Sequence, residues 1–257
     1  MKKLLFLFLF CSSFSFPINA QPVYQLKPKK EIAIVGTGLM LGGAAYFLNE
    51  ELNPLTISEI ESLQAKGISD WEEWTTGQGS RKSRIASDIV VYSSQLIPGI
   101  MTLADNSMRK DALKIGALYG EVFLINLGMT AFTKNAVRRA RPFVYDNDTP
   151  LDEKMTKSAR TSFYSGHTSE TAAMCFLTAS LFADYHPDSK WKPVVWSAAA
   201  VMPAAAGILR MRAGKHFPSD VITDMMGAAG GTLPKFTAPE KVRRNDFHKA
   251  FLNSPSI

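Results

Sequence analysis

Residues 161–174 read TSFYSGHTSETAAM, a polar loop that leads directly into an apolar run of helical character. Similar runs, rich in Ala, Leu, Met and Gly, recur along the chain at residues 32–48, 86–104, 112–133, 169–184, 194–209 and 221–234. The strict alternation of apolar and polar residues that marks a half-buried strand is scarce. The sequence therefore predicts an all-α protein, a single helical bundle domain whose functional residues lie at helix ends.

Residues 1–20, MKKLLFLFLFCSSFSFPINA, have the layout of a secretory signal peptide. Lys2 and Lys3 precede an apolar run, and a polar stretch follows it. An uncleaved N-terminal anchor is the alternative. Residues 21–257 suffice for one large domain or two small ones, and we expect one because no internal boundary is visible. The leader predicts export to a bacterial-type cell envelope, with the protein in the periplasm.

Charge and hydropathy narrow the class of protein. The net charge is +6, and no basic run resembles a nucleic-acid-binding arm, so we expect no nucleic-acid partner. The mean hydropathy of −0.02 favours a buried bundle over a polytopic membrane protein. Association with a membrane surface is compatible with the apolar helices.

The segment 54–83 is polar but contains Trp71 and Trp74. One interpretation is that both indoles pack against the bundle. The other is that they form an interfacial anchor or a lip at the mouth of a binding site, because tryptophan suits boundaries between apolar and wet surroundings.

The first motif is Lys134-(x)6-Arg141-Pro142. A helix beginning near residue 112 and ending before Pro142 would place Lys134 and Arg141, two turns apart, on one face. Two cations on one face repel each other unless an anion lies between them. Arginine grips two anion oxygens at once, whereas lysine acts as a point charge. The alternative is a solvated basic helix end, which the helix dipole favours.

The second motif is Ser165-Gly166-His167, at the predicted N-terminus of a helix. Free N–H groups at such an end bind anions, and glycine lets the backbone approach a ligand closely. The alternative is ordinary capping by Ser165, Thr168 or Ser169, with a following glutamate completing a capping box. Capping alone does not explain the histidine.

The third motif is Arg210-(x)5-His216-(x)3-Asp220, in a loop between two predicted helices. His216 and Asp220 are four residues apart, about one helical turn. A carboxylate in reach of one ring nitrogen fixes the tautomer and leaves the other nitrogen free to attack. The alternative is an ordinary loop in which Asp220 caps the next helix.

The three motifs together supply the groups that phosphoryl transfer without a metal requires. In their order and spacing they resemble the type-2 phosphatidate phosphatase and vanadium haloperoxidase superfamily, whose signature is K-(x)6-RP, PSGH and SR-(x)5-H-(x)3-D. The resemblance covers residues from about 110 to 235. It departs from the signature at two flanking positions, where Tyr164 replaces a proline and Leu209 replaces a serine.

This resemblance implies a role for each motif residue. His216 would attack phosphorus and form a phosphohistidine, Asp220 would orient it, and His167 would act as acid and then as base. The groups that would hold the phosphate oxygens are Lys134, Arg141, Ser165, Gly166 and Arg210. The implied enzyme is a metal-independent phosphatase for phosphomonoesters or diphosphates, with no cofactor and with a phosphorylated small molecule or lipid as substrate.

Several alternatives stay open. A vanadium-dependent haloperoxidase would bind vanadate in the same pocket, and a non-catalytic anion-binding envelope protein would use the cations alone. The apolar helices and the tryptophans favour a lipid-linked phosphate, although no pattern separates phosphatidate, isoprenyl diphosphate, lipid A phosphate or a soluble ester. His186 and His248 stand alone in the sequence, so no metal site is expected, and Cys175 is expected to pack in the core.

Overall fold

Ten α-helices make up most of residues 23–229 and 240–241, the part of the chain that the computed structural model describes. In chain order they are α1 Pro28–Glu50, α2 Ile57–Lys66, α3 Asp70–Glu73, α4 Arg81–Ala104, α5 Asn106–Arg109, α6 Ala112–Val137, α7 Leu151–Lys154, α8 Gly166–Tyr185, α9 Lys192–Arg212 and α10 Pro218–Ala229. The predicted all-α class is confirmed for these residues. The predicted signal peptide lies outside them.

The non-helical elements are short. Two 3-10 turns, Pro142–Val144 and Lys157–Arg160, lie in the long connection between α6 and α8. A two-residue antiparallel pair joins β1, Tyr24–Gln25, to β2, Glu240–Lys241.

Local signals explain where the long helices begin. Ser80 caps α4 by accepting a hydrogen bond from the Ser83 N–H at 3.2 Å. Proline stands in the first turn of α1 and α9, where its missing N–H removes no helical hydrogen bond. Each predicted apolar run falls within one of the long helices or α10, except that the end of the last run lies beyond the described residues.

The helices α1 and α6 pack side by side along most of their length. At Gly128 an added Cβ atom would lie 2.9 Å from the Gly38 carbonyl oxygen, so only glycine allows this backbone approach. Further along the pair, Asn135 Nδ2 donates a hydrogen bond to the Ala45 carbonyl at 3.0 Å. The two helices therefore run in the same direction.

The helix α8 lies at the centre and packs against α4, α6, α9 and α10. Small side chains allow this, and Ala172 and Ala179 are fully buried. Cys175 is buried with its Sγ atom 3.8 Å from Met202 Sδ, which confirms the predicted packing role.

The outward faces of the long helices are apolar. Three described helical segments are long and apolar enough to cross a membrane, namely Pro28–Glu50, Ala112–Val144 and Lys192–Arg212. Large apolar side chains such as Leu39 and Val201 stay more than half exposed on them. This differs from the predicted buried bundle, because polar connections lower a hydropathy averaged over the whole chain. The helices instead indicate membrane association.

Candidate active site

All three motifs meet at one end of the bundle, which we call the motif end. There α6 and α9 end, and α4, α8 and α10 begin. Contacts across this end include that of Arg210 with Ser87 and that of Arg139 with Asp220. Residues far apart in the sequence thus form one cluster.

Lys134 and Arg141 do not share a helix face as predicted. Arg138 adopts a left-handed conformation, with φ at 54°, and ends α6 at Val137, so Arg141 lies beyond the helix. The two side chains nevertheless converge on Thr161. Lys134 Nζ donates to its carbonyl oxygen at 2.9 Å, and Arg141 Nη2 donates to its Oγ1 atom at 3.3 Å.

Backbone carbonyl groups orient the Arg141 guanidinium. Its Nε atom donates to the Ser158 carbonyl at 2.8 Å, and its Nη1 atom donates to the Lys215 carbonyl at 3.3 Å. These bonds link the loop that carries Arg141 to the loop that carries His216. Backbone groups of two loops therefore hold the arginine in place.

Ser165 is the N-cap of α8, as one of the predicted alternatives required. Its buried Oγ atom accepts hydrogen bonds from the N–H of Thr168 at 3.4 Å and from the Thr168 hydroxyl at 2.9 Å. Gly166 follows as the first helical residue, and an added Cβ atom there would lie 3.3 Å from Thr130 Cγ2 and 3.7 Å from Lys134 Cε. Glycine thus leaves room between the start of α8 and the lysine.

His167 contacts a carboxylate that the sequence did not reveal. Its Nε2 atom lies 2.7 Å from Asp88 Oδ1, on α4. The same oxygen lies 3.7 Å from Arg210 Nη1, which also donates to Ser87 Oγ at 3.4 Å. Asp88 was missed because a single aspartate on an amphipathic helix carries no motif.

The environment makes His167 readier to lose a proton. Burial lowers its pKa below 6.5, the Arg210 charge lowers it further, and the Asp88 carboxylate acts in the opposite direction. Burial and the Arg210 charge therefore favour the neutral form of His167, and the Asp88 carboxylate favours the protonated form.

His216 is held by a backbone group rather than by the predicted carboxylate. Its Nδ1 atom lies 2.7 Å from the Ser162 carbonyl oxygen and 3.7 Å from Asp220 Oδ2, beyond hydrogen-bond distance. Because a carbonyl oxygen only accepts, Nδ1 carries the proton. Nε2 is then the nitrogen with a free lone pair.

Asp220 acts on His216 through neighbours. Its fully buried carboxylate accepts hydrogen bonds from Ser162 Oγ at 2.6 Å and from the Phe217 N–H at 2.8 Å. Arg139 Nη1 donates to its other oxygen at 2.6 Å. Asp220 therefore holds Ser162, whose carbonyl binds the His216 ring, and Phe217, which follows His216 in the chain. Ser162 was missed, because its role is played by a backbone carbonyl.

Electrostatics keep His216 neutral. Burial lowers its pKa well below 6.5, and the charges of Lys134, Arg141 and Arg210 lower it further. A neutral imidazole with one free lone pair is the nucleophilic form of histidine.

Asp224 is a second carboxyl group that the sequence did not single out. It is buried one turn after Asp220, and neither of its oxygens has a hydrogen-bond partner among the described residues. Burial raises its pKa to about 9, against the opposing effect of the Lys134 charge. Asp224 is therefore protonated at neutral pH.

Tyr164, which replaces a proline of the signature, contacts the helix α6. The Tyr164 hydroxyl lies 3.3 Å from Thr130 Oγ1 on α6. The tyrosine thus ties the loop before Ser165 to the helix that carries Lys134.

Metal-ligand side chains are not clustered in this part of the protein. Residues 23–229 contain no group of three or more His, Cys, Asp or Glu side chains placed to hold a metal ion. His186 Nε2 lies 2.9 Å from Asp105 Oδ2, at the opposite end of the bundle. His248 lies outside the described residues.

The helical fold brings the cations and histidines of the three motifs together at helix ends. In agreement with this, residues 116–233 match the PAP2 superfamily. This match confirms the resemblance seen in the motifs and supports a hydrolase acting on phosphorylated substrates. Comparisons with curated proteins and with solved structures gave no match.

Proposed function

We propose that this protein is a metal-independent phosphatase that hydrolyses phosphomonoesters or diphosphates through a phosphohistidine intermediate. The observation that carries the proposal is the hydrogen bond from His216 Nδ1 to the Ser162 carbonyl at 2.7 Å. It leaves Nε2 unprotonated beside three fixed cations. A histidine placed only for packing would not need a fixed tautomer next to an anion site.

In the first step, the lone pair of His216 Nε2 forms a bond to phosphorus while the bond from phosphorus to the leaving oxygen breaks. The leaving oxygen takes a proton from the imidazolium form of His167. Since Asp88 accepts from His167 Nε2, the Nδ1 atom remains to exchange this proton. The products are the free alcohol and a phosphohistidine.

In the second step, neutral His167 removes a proton from a water molecule as the water oxygen attacks phosphorus. The bond between phosphorus and His216 Nε2 breaks, and its electron pair returns to the ring nitrogen. Inorganic phosphate leaves, and His167 again carries the proton that the next cycle needs.

The cations stabilise the transferring phosphoryl group. Lys134, Arg141 and Arg210 would hold its equatorial oxygens, together with Ser165 and the Gly166 N–H group. Their charge supplies what a divalent metal supplies in other phosphatases. The geometric support is that the guanidinium of Arg141 is already bound to two backbone carbonyls.

We further propose that the phosphate is linked to a lipid and that the protein works in the periplasm. Support for the lipid comes from the three helical segments that are apolar enough to cross a membrane. Support for export comes from the signal-like residues 1–20.

The proposal is tested by phosphate release from a water-soluble phosphomonoester in the presence of EDTA. We expect turnover that vanadate inhibits, and a radioactive phosphoryl label should stay on the wild-type protein after rapid quenching in alkaline detergent, because phosphohistidine survives alkali but not acid. His216→Ala should lose both turnover and label, whereas Lys190→Ala, far from the motifs, should retain both. Loss of turnover in EDTA would refute the metal-independent mechanism, and full activity of His216→Ala would refute the nucleophile assignment.

A further inference from the structure

The segment from residue 69 to residue 80, which we call the tryptophan segment, has two contrasting faces. The indoles of Trp71 and Trp74 are 53% and 48% exposed, whereas Glu72 between them is only 6% exposed. The predicted packing of both tryptophans against the bundle is therefore not what the structure shows. The segment presents its indoles outwards and its carboxylate inwards.

On the inward face, Glu72 is hydrogen-bonded to residues that neighbour His216 and Asp220. Glu72 Oε2 accepts from Arg139 Nη2 at 2.8 Å, and Glu72 Oε1 accepts from the Ser219 hydroxyl at 2.5 Å. Arg139 also donates to Asp220 and lies over the Phe217 ring, 4.2 Å from its centroid. One buried carboxylate thus connects the tryptophan segment to the residues on either side of Pro218.

Two further contacts join the tryptophan segment to the loop that contains His216. The Ser80 N–H donates to the Arg212 carbonyl at 3.1 Å. Gly214, with φ at 64°, packs so closely that an added Cβ atom would lie 2.0 Å from the Gln78 carbonyl oxygen. The segment therefore packs directly against the loop that contains His216.

The outward face continues into α4 with the order of groups expected at a lipid interface. The helix starts with the exposed cations Arg81, Lys82 and Arg84. A stripe of exposed apolar side chains follows on one face of the same helix, namely Ile85, Ile89, Tyr92, Leu96, Ile100 and Leu103. Cations and tryptophans at head-group level, followed by apolar side chains, are typical of a helix that enters a bilayer.

A second pair of tryptophans marks the other end of the bundle. Trp191 and Trp196, at the start of α9, are 67% and 41% exposed. From Trp191 to Arg210 at the motif end, α9 rises by roughly 28 Å at 1.5 Å per residue. The hydrocarbon core of a bilayer is about 30 Å thick, so Trp191 and the motif end of α9 are separated by about one membrane thickness.

We propose that Trp71 and Trp74 lie in the head-group layer of a bilayer at the motif end, and that Glu72 and Gln78 transmit this contact to the His216 loop. The occupant of the exposed face is a lipid surface with anionic head groups, which the three exposed cations attract. Only the consequence for catalysis rests on the proposed function. The lipid contact itself can be measured without any turnover.

The first test uses the intrinsic fluorescence of the protein. The chain has 4 tryptophans, so a variant with Trp191→Phe and Trp196→Phe reports only on Trp71 and Trp74. In nanodiscs we expect stronger quenching by lipids brominated near the head group than by lipids brominated near the chain ends. If neither lipid quenches the fluorescence, the proposal is overturned. A second copy of this chain that covers the two tryptophans would give this result.

The second test measures the coupling. Hydrogen exchange at the amides of residues 213–217 should be slower in nanodiscs with anionic lipid than in detergent. The double variant Trp71→Ser, Trp74→Ser should lose this difference, and the matched variant Trp191→Ser, Trp196→Ser should keep it. Turnover of a water-soluble ester should follow the same pattern. The wild type and the Trp191→Ser, Trp196→Ser variant should turn over several-fold faster in nanodiscs than in detergent, and the Trp71→Ser, Trp74→Ser variant should show no such gain.

These readouts separate the two proposals. If the protein hydrolyses no phosphoester, the proposed function fails, while quenching and exchange still decide the lipid contact. If turnover is present but the exchange difference survives in the Trp71→Ser, Trp74→Ser variant, the coupling is refuted and the phosphatase stands.

Discussion

His216 Nδ1 lies 2.7 Å from the Ser162 carbonyl oxygen, while Asp220, one helical turn further on, holds the Ser162 hydroxyl at 2.6 Å. The carboxylate therefore positions His216 indirectly, through a serine whose side chain binds the carboxylate and whose backbone carbonyl binds the ring. The Ser162 carbonyl fixes the tautomer of the ring, and Asp220 fixes the conformation of the loop. A direct bond between aspartate and histidine would combine these two effects in one residue.

Substitutions at Ser162 and Asp220 should differ in severity. Ser162→Ala removes one hydrogen bond but leaves the carbonyl that binds His216, so kcat should fall only modestly. Asp220→Ala removes three hydrogen bonds and leaves Arg139 with only Glu72 of its two buried carboxylate partners. The resulting displacement of His216 should lower kcat by about 100-fold, the scale of an ångström-sized misplacement.

Steady-state kinetics on a soluble ester would measure both effects, with Asp220→Asn as the conservative control. The Asn variant should retain more activity than the Ala variant because it still accepts from Ser162 or from the Phe217 N–H. Equal losses for Ser162→Ala and Asp220→Ala would contradict the indirect role of the carboxylate.

Asp88 should control the pH dependence of catalysis. Burial and then the Arg210 charge lower the pKa of His167, and Asp88 opposes them. The acid form of His167 is lost as pH rises through that pKa, so kcat/KM should fall on the alkaline side. Asp88→Asn removes the opposing carboxylate, and the alkaline limb should then move to lower pH.

A pH series of kcat/KM for the wild type and for Asp88→Asn would test this shift. Asp105→Asn is the matched control, because it removes the carboxylate that pairs with His186 at 2.9 Å away from the motifs. An alkaline limb that stays in place in Asp88→Asn would show that His167 is not the group being titrated.

The geometry of Arg141 should matter more than its charge. Its Nε and Nη atoms bond to backbone carbonyls and to Thr161, and lysine cannot reproduce this planar arrangement. Arg141→Lys should therefore lower kcat by about 100- to 1000-fold, as the loss of a transition-state hydrogen-bond donor does. Kinetics of the exposed Arg212→Lys variant, expected to match the wild type, provide the comparison.

Asp224 should make stability depend on pH. Its folded-state pKa of about 9 lies above the unfolded value of 3.8, so the folded protein holds a proton that the unfolded chain releases between these values. Stability should therefore fall as pH rises from 4 to 9, with a limiting slope of about 1.4 kcal/mol per pH unit.

Asp224→Asn replaces the carboxylic acid by a neutral group of the same shape and should remove this slope. Thermal unfolding midpoints measured across pH 5–9 should converge at low pH and favour the variant at high pH. Parallel curves for the two proteins would rule out a protonated, buried Asp224.

Gly214 should tolerate no side chain. Its φ of 64° costs other residues about 1–2 kcal/mol, and a Cβ atom would lie 2.0 Å from the Gln78 carbonyl oxygen. Gly214→Ala should lower both the unfolding midpoint and kcat, because the His216 loop must shift. Gly79→Ala, where an added Cβ meets nothing within 4 Å, should change neither.

The sequence alone determined the helical class and the three motifs. Apolar periodicity is a local property that survives in any tertiary context, so the long helices fell where the apolar runs predicted them. The histidines and cations were recognisable because their spacing is short and their order is specific. The match of residues 116–233 to the PAP2 superfamily confirms that interpretation.

The tertiary structure decided how the motif residues contact one another. Lys134 and Arg141 meet at Thr161 because Arg138 ends α6 early, not because a helix aligns them. A backbone carbonyl binds His216, and an aspartate from another helix binds His167. Backbone groups are identical in every residue and Asp88 belongs to no motif. These contacts exist only once the chain has packed, and the sequence by itself carries no signal for them.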